Sequence, residues 1–267
     1  MFGLEREPFS TSPDPEFLYH STSYDTALKR LEISIRLRRG LSLVLGDVGT
    51  GKTTLSRALL QAFKDENDFI FHMVLDPCFK SEFQFLLSLV KMFNIMPPFK
   101  STMDFKEALE KYLFQKGVEE NKTIVLLIDE SQKLTAENLE VLRTLLNYET
   151  NEYKLLQLVI MAQVELLPKI KRVRNFMDRV ALKYVINPLG ESETKEMINF
   201  RLKQAGYKNE MPLFTDDAIK LIYDHTQGYP RRIAMLCHDA LEAIVMKERS
   251  FVDAEIISGL IFHGAQI

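Results

Sequence analysis

Cysteine is scarce in this chain: 267 residues contain two, Cys78 and Cys237. Two isolated thiols offer no metal-ligand or redox spacing, and a reducing compartment with both as ordinary buried side chains is the expectation. Long apolar runs are lacking, and no stretch approaches the ~20 residues that span a bilayer. The first seventeen residues are broken by Pro8, Pro13 and Pro15 and have no apolar centre, so they do not read as a signal peptide. Charge of one sign is not in excess. The 34 Lys and Arg against 37 Asp and Glu give a net charge of −3, which leaves no global footprint for nucleic acid or an anionic membrane. Internal repeats and low-complexity tails are missing. The five histidines, His20, His72, His225, His238 and His263, are scattered without ligand spacing and read as structural. What remains is a soluble, cytoplasmic protein, 46% hydrophobic, long enough for one large domain or two small ones.

One segment stands out. Gly46-Asp47-Val48-Gly49-Thr50-Gly51-Lys52-Thr53 is a complete G-x-x-x-x-G-K-T loop, with Thr54 after it. It follows the apolar run Leu41–Leu45 and opens onto a helical pattern, the strand–loop–helix setting that a phosphate-binding loop requires. Backbone N–H groups of such a loop surround phosphates, and the following helix adds a favourable dipole. Gly46, Gly49 and Gly51 let the backbone approach closely. Lys52 would reach the β- and γ-phosphates, and the Thr53 hydroxyl would ligate Mg²⁺.

Around the loop the pattern alternates. Strands are expected at Leu41–Leu45, Phe69–Leu75, Ile124–Ile128, Leu156–Ala162 and Ala181–Ile186. Most are nearly continuous apolar runs, as in a parallel sheet covered on both faces. Helices are expected at Asp25–Arg38, capped by Gly40, and at Thr54–Lys64, Ser81–Phe93, Asp104–Lys116 and Ala136–Tyr148, with Asp104 and Glu107 resembling a capping box. This is α/β architecture, doubly wound, with a five-stranded parallel sheet. After Pro188-Leu189-Gly190 only helices are expected: Glu193–Ala205, Asp216–Gln227 capped by Thr215, Arg231–Lys247 and Ala254–Ile261, with Gly206 and Gly228 as stops. The expected division is an α/β core over 1–188, with an extended arm at 1–24, and a small all-helical lid over 189–267. The hinge falls near 187–191.

The run Ile124–Ile128 ends in Asp129-Glu130. Two acids at a strand end are otherwise often a solvated turn. Beside a phosphate-binding loop they form the Walker B pattern, with Asp129 on Mg²⁺ and Glu130 activating the water that attacks the γ-phosphate. Glu130 argues for hydrolysis over simple retention of nucleotide. Gln163, just after the strand Leu156–Ala162, is placed to bond that water or the γ-phosphate, or is an ordinary exposed glutamine. Arg231, in Gly228-Tyr229-Pro230-Arg231-Arg232, is placed to report loss of the γ-phosphate to the lid. Arg232 reads as solvated or in an interdomain ion pair. Lys169 to Arg179 is the most basic stretch. It reads as a solvated face, as the source of an arginine finger for a neighbouring subunit (Arg179 first, Arg174 second), or as a DNA-phosphate patch joined by Arg36, Arg38 and Arg39.

These residues together resemble one family. Phe2-Gly3-Leu4, Pro8-Phe9, Ser12-Pro13-Asp14-Pro15 and Phe17-Leu18-Tyr19 resemble the N-terminal signature of the ExeA-type ATPases of general secretion. So do the loop Gly46–Leu55, Asp129-Glu130-Ser131-Gln132-Lys133-Leu134 and Gly228–Ile233. These are AAA+ proteins related to origin-recognition and transposition-regulator ATPases. The resemblance implies a P-loop AAA+ core and helical lid, ATP and Mg²⁺ as ligands, and an ATPase working as a homo-oligomer, ring or filament. It implies sensor roles for Gln163 and Arg231 and a finger role for Arg179. Protein partners of a secretion, pilus or polysaccharide-export assembly are expected first. A DNA-associated transposition regulator and a slow nucleotide-gated switch stand as alternatives. Family members often have alanine where Ser131 stands, a change expected to matter little. Many continue into a membrane span and a peptidoglycan-binding domain. This chain shows neither, so any membrane link is expected to come through a partner.

Overall fold

The computed structural model describes residues 3–11, 14–95, 101–209 and 211–264. Phe2, Ser12 and Pro13 of the N-terminal signature lie outside the described residues, as does the side chain of His263. Five strands, β1 (Leu41–Leu45), β2 (Phe69–Val74), β3 (Thr123–Ile128), β4 (Leu156–Ala162) and β5 (Val180–Val185), form the expected parallel sheet, in the order β2-β3-β4-β1-β5. β1, β3 and β4 are buried along their whole length, and the edge strands β2 and β5 are mostly half-buried or exposed. Burial on both faces explains why the inner strands read as unbroken apolar runs. Fully burying one such side chain contributes roughly 1.5–3 kcal/mol.

The helices are α1 (Thr22–Arg36), α2 (Lys52–Ala62), α3 (Glu82–Met92), α4 (Thr102–Phe114), α5 (Ala136–Leu145), α6 (Leu166–Arg172), α7 (Glu191–Gln204), α8 (Asp216–Thr226), α9 (Pro230–Met246) and α10 (Ala254–Gly264). The chain separates into two compact units. One comprises Asp25–Asp47 and Leu55–Ile186, the other Met1–Tyr24, Val48–Thr54 and Asn187–Ile267. The first holds the sheet and a core drawn from β1, β3, β4 and the helices over them, with Phe85, Phe105 and Phe176 among its filled positions. The second has its own core, built by α7 to α10 around Ile198, Ile222, Ile233 and Ile257. Phe9 of the N-terminal arm is buried in that core, edge-on to Phe214 at 5.8 Å. Arg201 fixes the arm by donating to the carbonyl of Ser10 at 3.2 Å. The arm therefore packs into the helical core, with a short helical turn at Pro15–Phe17.

Several local expectations are corrected. The α4 capping box is Ser101 with Asp104, because Ser101 Oγ accepts from the Asp104 N–H and Asp104 Oδ2 accepts from the Ser101 N–H. α1 does not end on Gly40. Arg38 takes the left-handed position (φ +48), and N–H bonds from Arg38 to Ile35 and from Arg39 to Ser34 close the turn. The arginine holds that position through its side chain. Its guanidinium donates to Thr123 Oγ1 at 2.9 Å and the Asn121 carbonyl at 3.0 Å, and lies 4.4 Å from the Tyr153 ring centre. α6, which carries the start of the basic stretch, was not expected as a helix. Cys78 is exposed, and only Cys237 is buried. His72 fits its structural reading: it stacks on Phe93 at 4.1 Å, and burial pushes its pKa down to about 4. Among the described residues, no helix is long and apolar enough to cross a membrane.

Candidate functional site

Because β1, β3 and β4 are parallel, their carboxyl ends open on one edge of the sheet. Gly46-Asp47 leaves β1 there, Asp129-Glu130 leaves β3, and Gln163 leaves β4. Open α/β sheets take ligands outside this edge. The Gly46 N–H still follows the sheet, donating to the Ala162 carbonyl at 3.1 Å. Beyond it the chain turns into α2. Gly49 (φ +84) and Gly51 (φ +96) take left-handed conformations that a side chain would strain. Gly49 serves a second purpose in the helical unit, where a Cβ on it would lie 3.1 Å from the Arg231 Cβ. The Arg231 N–H reaches the Gly49 carbonyl at 3.4 Å. Asp47 and Val48 are exposed, Thr53 and Thr54 half-buried, and Thr50 and Lys52 buried. Lys52 is the first residue of α2, where a helix presents unpaired N–H groups and its positive end. Glycines at left-handed positions, a buried ammonium and a helix start suit a polyphosphate.

The turn after β3 is built differently. Asp129 is 2% exposed, and its Oδ1 accepts the Glu130 N–H at 2.8 Å. That bond accompanies a left-handed Glu130 (φ +50, ψ +32), a conformation costing of order 1–3 kcal/mol for a residue with a side chain. Ser131 is wholly buried, and its hydroxyl donates to the Ile128 carbonyl at 2.8 Å. A small residue fits there, and serine adds a satisfied hydrogen bond. The turn is gripped from both sides. Lys133 pairs with Asp76, past the end of β2, at 3.1 Å, and the bond holds the Asp76 carboxyl below its ordinary range. Lys169 of α6 donates to the carbonyls of Gln132 and Leu134. Gln132 joins two expected site residues. Its Nε2 donates to Glu130 Oε2 at 2.7 Å, and its Oε1 accepts the Gln163 N–H at 3.2 Å. Ser131 and Gln132 carry no site role in the sequence reading although they lie inside the acidic motif, and Lys169, read there as part of the basic stretch, instead holds this turn. For Ser131 and Gln132, proximity to the motif was the available signal.

The Thr53 hydroxyl and the Asp129 carboxylate are hard oxygen donors of the kind Mg²⁺ takes alongside phosphates. Arg231 is exposed at the start of α9, and Arg232, also exposed, lies with its guanidinium 4.7 Å over the Tyr229 ring. Arg179 is half-buried at the end of a short turn before β5. It donates to Asn147 Oδ1 and to the Asn175 carbonyl, and Arg174 and Asn175 line a pocket with Glu140 and Arg143. Two of the arginines assigned to a DNA-phosphate patch are engaged inside the chain. Arg36 pairs with Glu66 through two bonds of 2.6 and 2.8 Å, and Arg38 is the helix cap described above.

Comparison with known proteins follows from this geometry. The family model described as AAA domain matches residues 35–170. Over 247 residues the chain is 34% identical to general secretion pathway protein A of Aeromonas hydrophila, a match covering 91% of this chain and 44% of that protein. The chain thus spans less than half of that relative's length. Among solved structures, Cdc6p from Pyrobaculum aerophilum matches with a TM-score of 0.69 at 19% identity, over 92% of this chain and 67% of that one. The Aeropyrum pernix ORC1 protein in complex with DNA matches with a TM-score of 0.66 at 17% identity, over 95% and 68%. At such identities these two speak for the fold alone. The motifs, the sheet and the family match agree: the chain belongs to the AAA+ ATPases and is related among them to general secretion pathway protein A.

Proposed function

We propose that this protein binds ATP with Mg²⁺ and hydrolyses it to ADP and phosphate, working as a homo-oligomer, ring or filament, in the cytoplasm. The observation that carries the reading is the shared sheet edge, where the strands leading into Gly46-Asp47, Asp129-Glu130 and Gln163 all end. The backbone of Gly46 to Thr54 wraps the phosphates and Lys52 neutralises them. Thr53 and Asp129 hold the cation, which when bound neutralises charge on the β- and γ-phosphate oxygens. Glu130 takes a proton from water as its oxygen bonds to the γ-phosphorus and the bond to the β–γ bridging oxygen breaks. Gln163 orients that water, and Arg231 reads the γ-phosphate from the start of α9. Arg179 reaches the γ-phosphate of a neighbouring subunit and must leave Asn147 to do so. Kinship with general secretion pathway protein A supports a secretion, pilus or polysaccharide-export assembly as the client, with protein partners.

The test is ATP binding beside ATP turnover. Lys52→Ala should lose binding, whereas Glu130→Gln should bind and not turn over. Normal turnover by Glu130→Gln would defeat the assignment. Oligomer function has its own assay. Arg179→Ala should bind ATP without turnover, and mixing it with Glu130→Gln should restore part of the activity. Absence of rescue, with Arg174→Ala as the inactive variant, would move the finger to Arg174.

A further inference from the structure

We infer that Gln132 is a positioning residue for Glu130, holding one carboxylate oxygen so that the other is presented to water. This deepens the hydrolysis reading and rests on Glu130 as the base. Glu130 has a long side chain whose rotamers must be ordered before proton transfer, and disorder there is paid in rate. Gln132 supplies the restraint. Its Nε2 lies 2.7 Å from Glu130 Oε2, and its Oε1 lies 3.2 Å from the Gln163 nitrogen. The orientation of this amide is forced. A backbone N–H at residue 163 can bond only an acceptor, so the amide oxygen faces β4 and the NH₂ group faces the carboxylate. With Oε2 held by the amide donor, Oε1 is left to accept the proton.

The restraint is itself anchored. Lys169 grips the Gln132 and Leu134 carbonyls, and Ser131 ties the turn to Ile128. Gln132 also links the base to the end of β4, the strand that carries the candidate γ-phosphate reader. A displacement of Gln163 would be felt at the Glu130 carboxylate through one side chain. The half-buried position of Gln132 limits exchange of these bonds with water.

The experiment uses the full chain and Gln132→Met, which keeps the length of the side chain and removes both hydrogen bonds. The expected result is a fall in kcat of about 10- to 100-fold, with ATP affinity unchanged. In a Glu130→Gln background the same substitution should lower the residual single-turnover rate no further, because the base it positions is already gone. If Gln132→Met does not fold, Gln132→Glu carries the test. It keeps an acceptor for the Gln163 N–H and turns a carboxylate oxygen toward Glu130, and kcat should fall with affinity retained. Wild-type kcat in the Gln132 variant beside an inactive Glu130→Gln would overturn the positioning role and leave the base in place. An equal loss in both backgrounds, or lost ATP affinity, would also overturn it, by showing that Gln132 acts through the fold of the loop. Normal turnover by Glu130→Gln would instead remove the base assignment on which the inference rests.

Discussion

Two loops leave this sheet from the carboxyl ends of β1 and β3, and both need a left-handed backbone. The first fills its left-handed positions with Gly49 and Gly51. The second fills its position with Glu130, whose N–H donates to Asp129 and whose carboxylate accepts from Gln132, while the next residue, Ser131, is tied to Ile128. The difference follows from what each loop presents. The loop after β1 presents backbone N–H groups, so a side chain there would obstruct. The loop after β3 presents a carboxylate, so glycine would remove the proposed base, and the strain is offset by neighbours. The left-handed backbone is not itself the mark of a site, since Arg38 and Gln227 adopt it only to end helices; at Glu130 it coincides with the acidic motif.

The largest expected effect lies in the second loop. Glu130→Gln keeps the shape and removes the proposed base, and turnover should fall ~10²–10⁴-fold. A loss below tenfold in single-turnover assays would make the strained glutamate a structural feature and dissolve the contrast between the loops. Next come the glycines. Gly51→Ala meets open space and should suffer only from its backbone conformation, about 1–2 kcal/mol in a urea titration. Gly49→Ala meets the same conformational cost and the Arg231 Cβ at 3.1 Å as well, so it should be the worse of the two. Equal stabilities would show that the approach of Arg231 to Gly49 is dispensable. The smallest effect is the most discriminating. Asparagine accepts the left-handed region more easily than glutamate, so Glu130→Asn should abolish turnover without loss of stability, and with a gain of up to about 1 kcal/mol. A marked destabilisation would mean that Glu130 is held for packing.

Much of this was legible in the sequence. β1 and β4 have the bounds expected from their apolar runs, and the expected N-cap Thr215 precedes helix α8. These are local signals, since a buried run or a capping hydroxyl acts within a few residues. The cap at Arg38 was illegible because its support comes from Thr123, 85 positions away. The packing of the arm was illegible for a similar reason, as Phe9 finds its partner at Phe214. At the candidate site, the phosphate-binding loop and the acidic pair were readable as motifs, each complete within a few residues.

Sequence by itself therefore determined the family, the alternation of strands and helices and the residue types offered to a nucleotide. Tertiary structure decided the strand order, the burial of Asp129, the left-handed turn at Glu130 and the use of Gln132 and Lys169 around it. Lys169 and the Gln132 carbonyl are 37 positions apart and meet only because α6 follows β4, the neighbour of β3 in the sheet. A hydrogen bond needs its partner within about 3 Å, and for side chains far apart in the chain that distance exists only after the sheet has assembled.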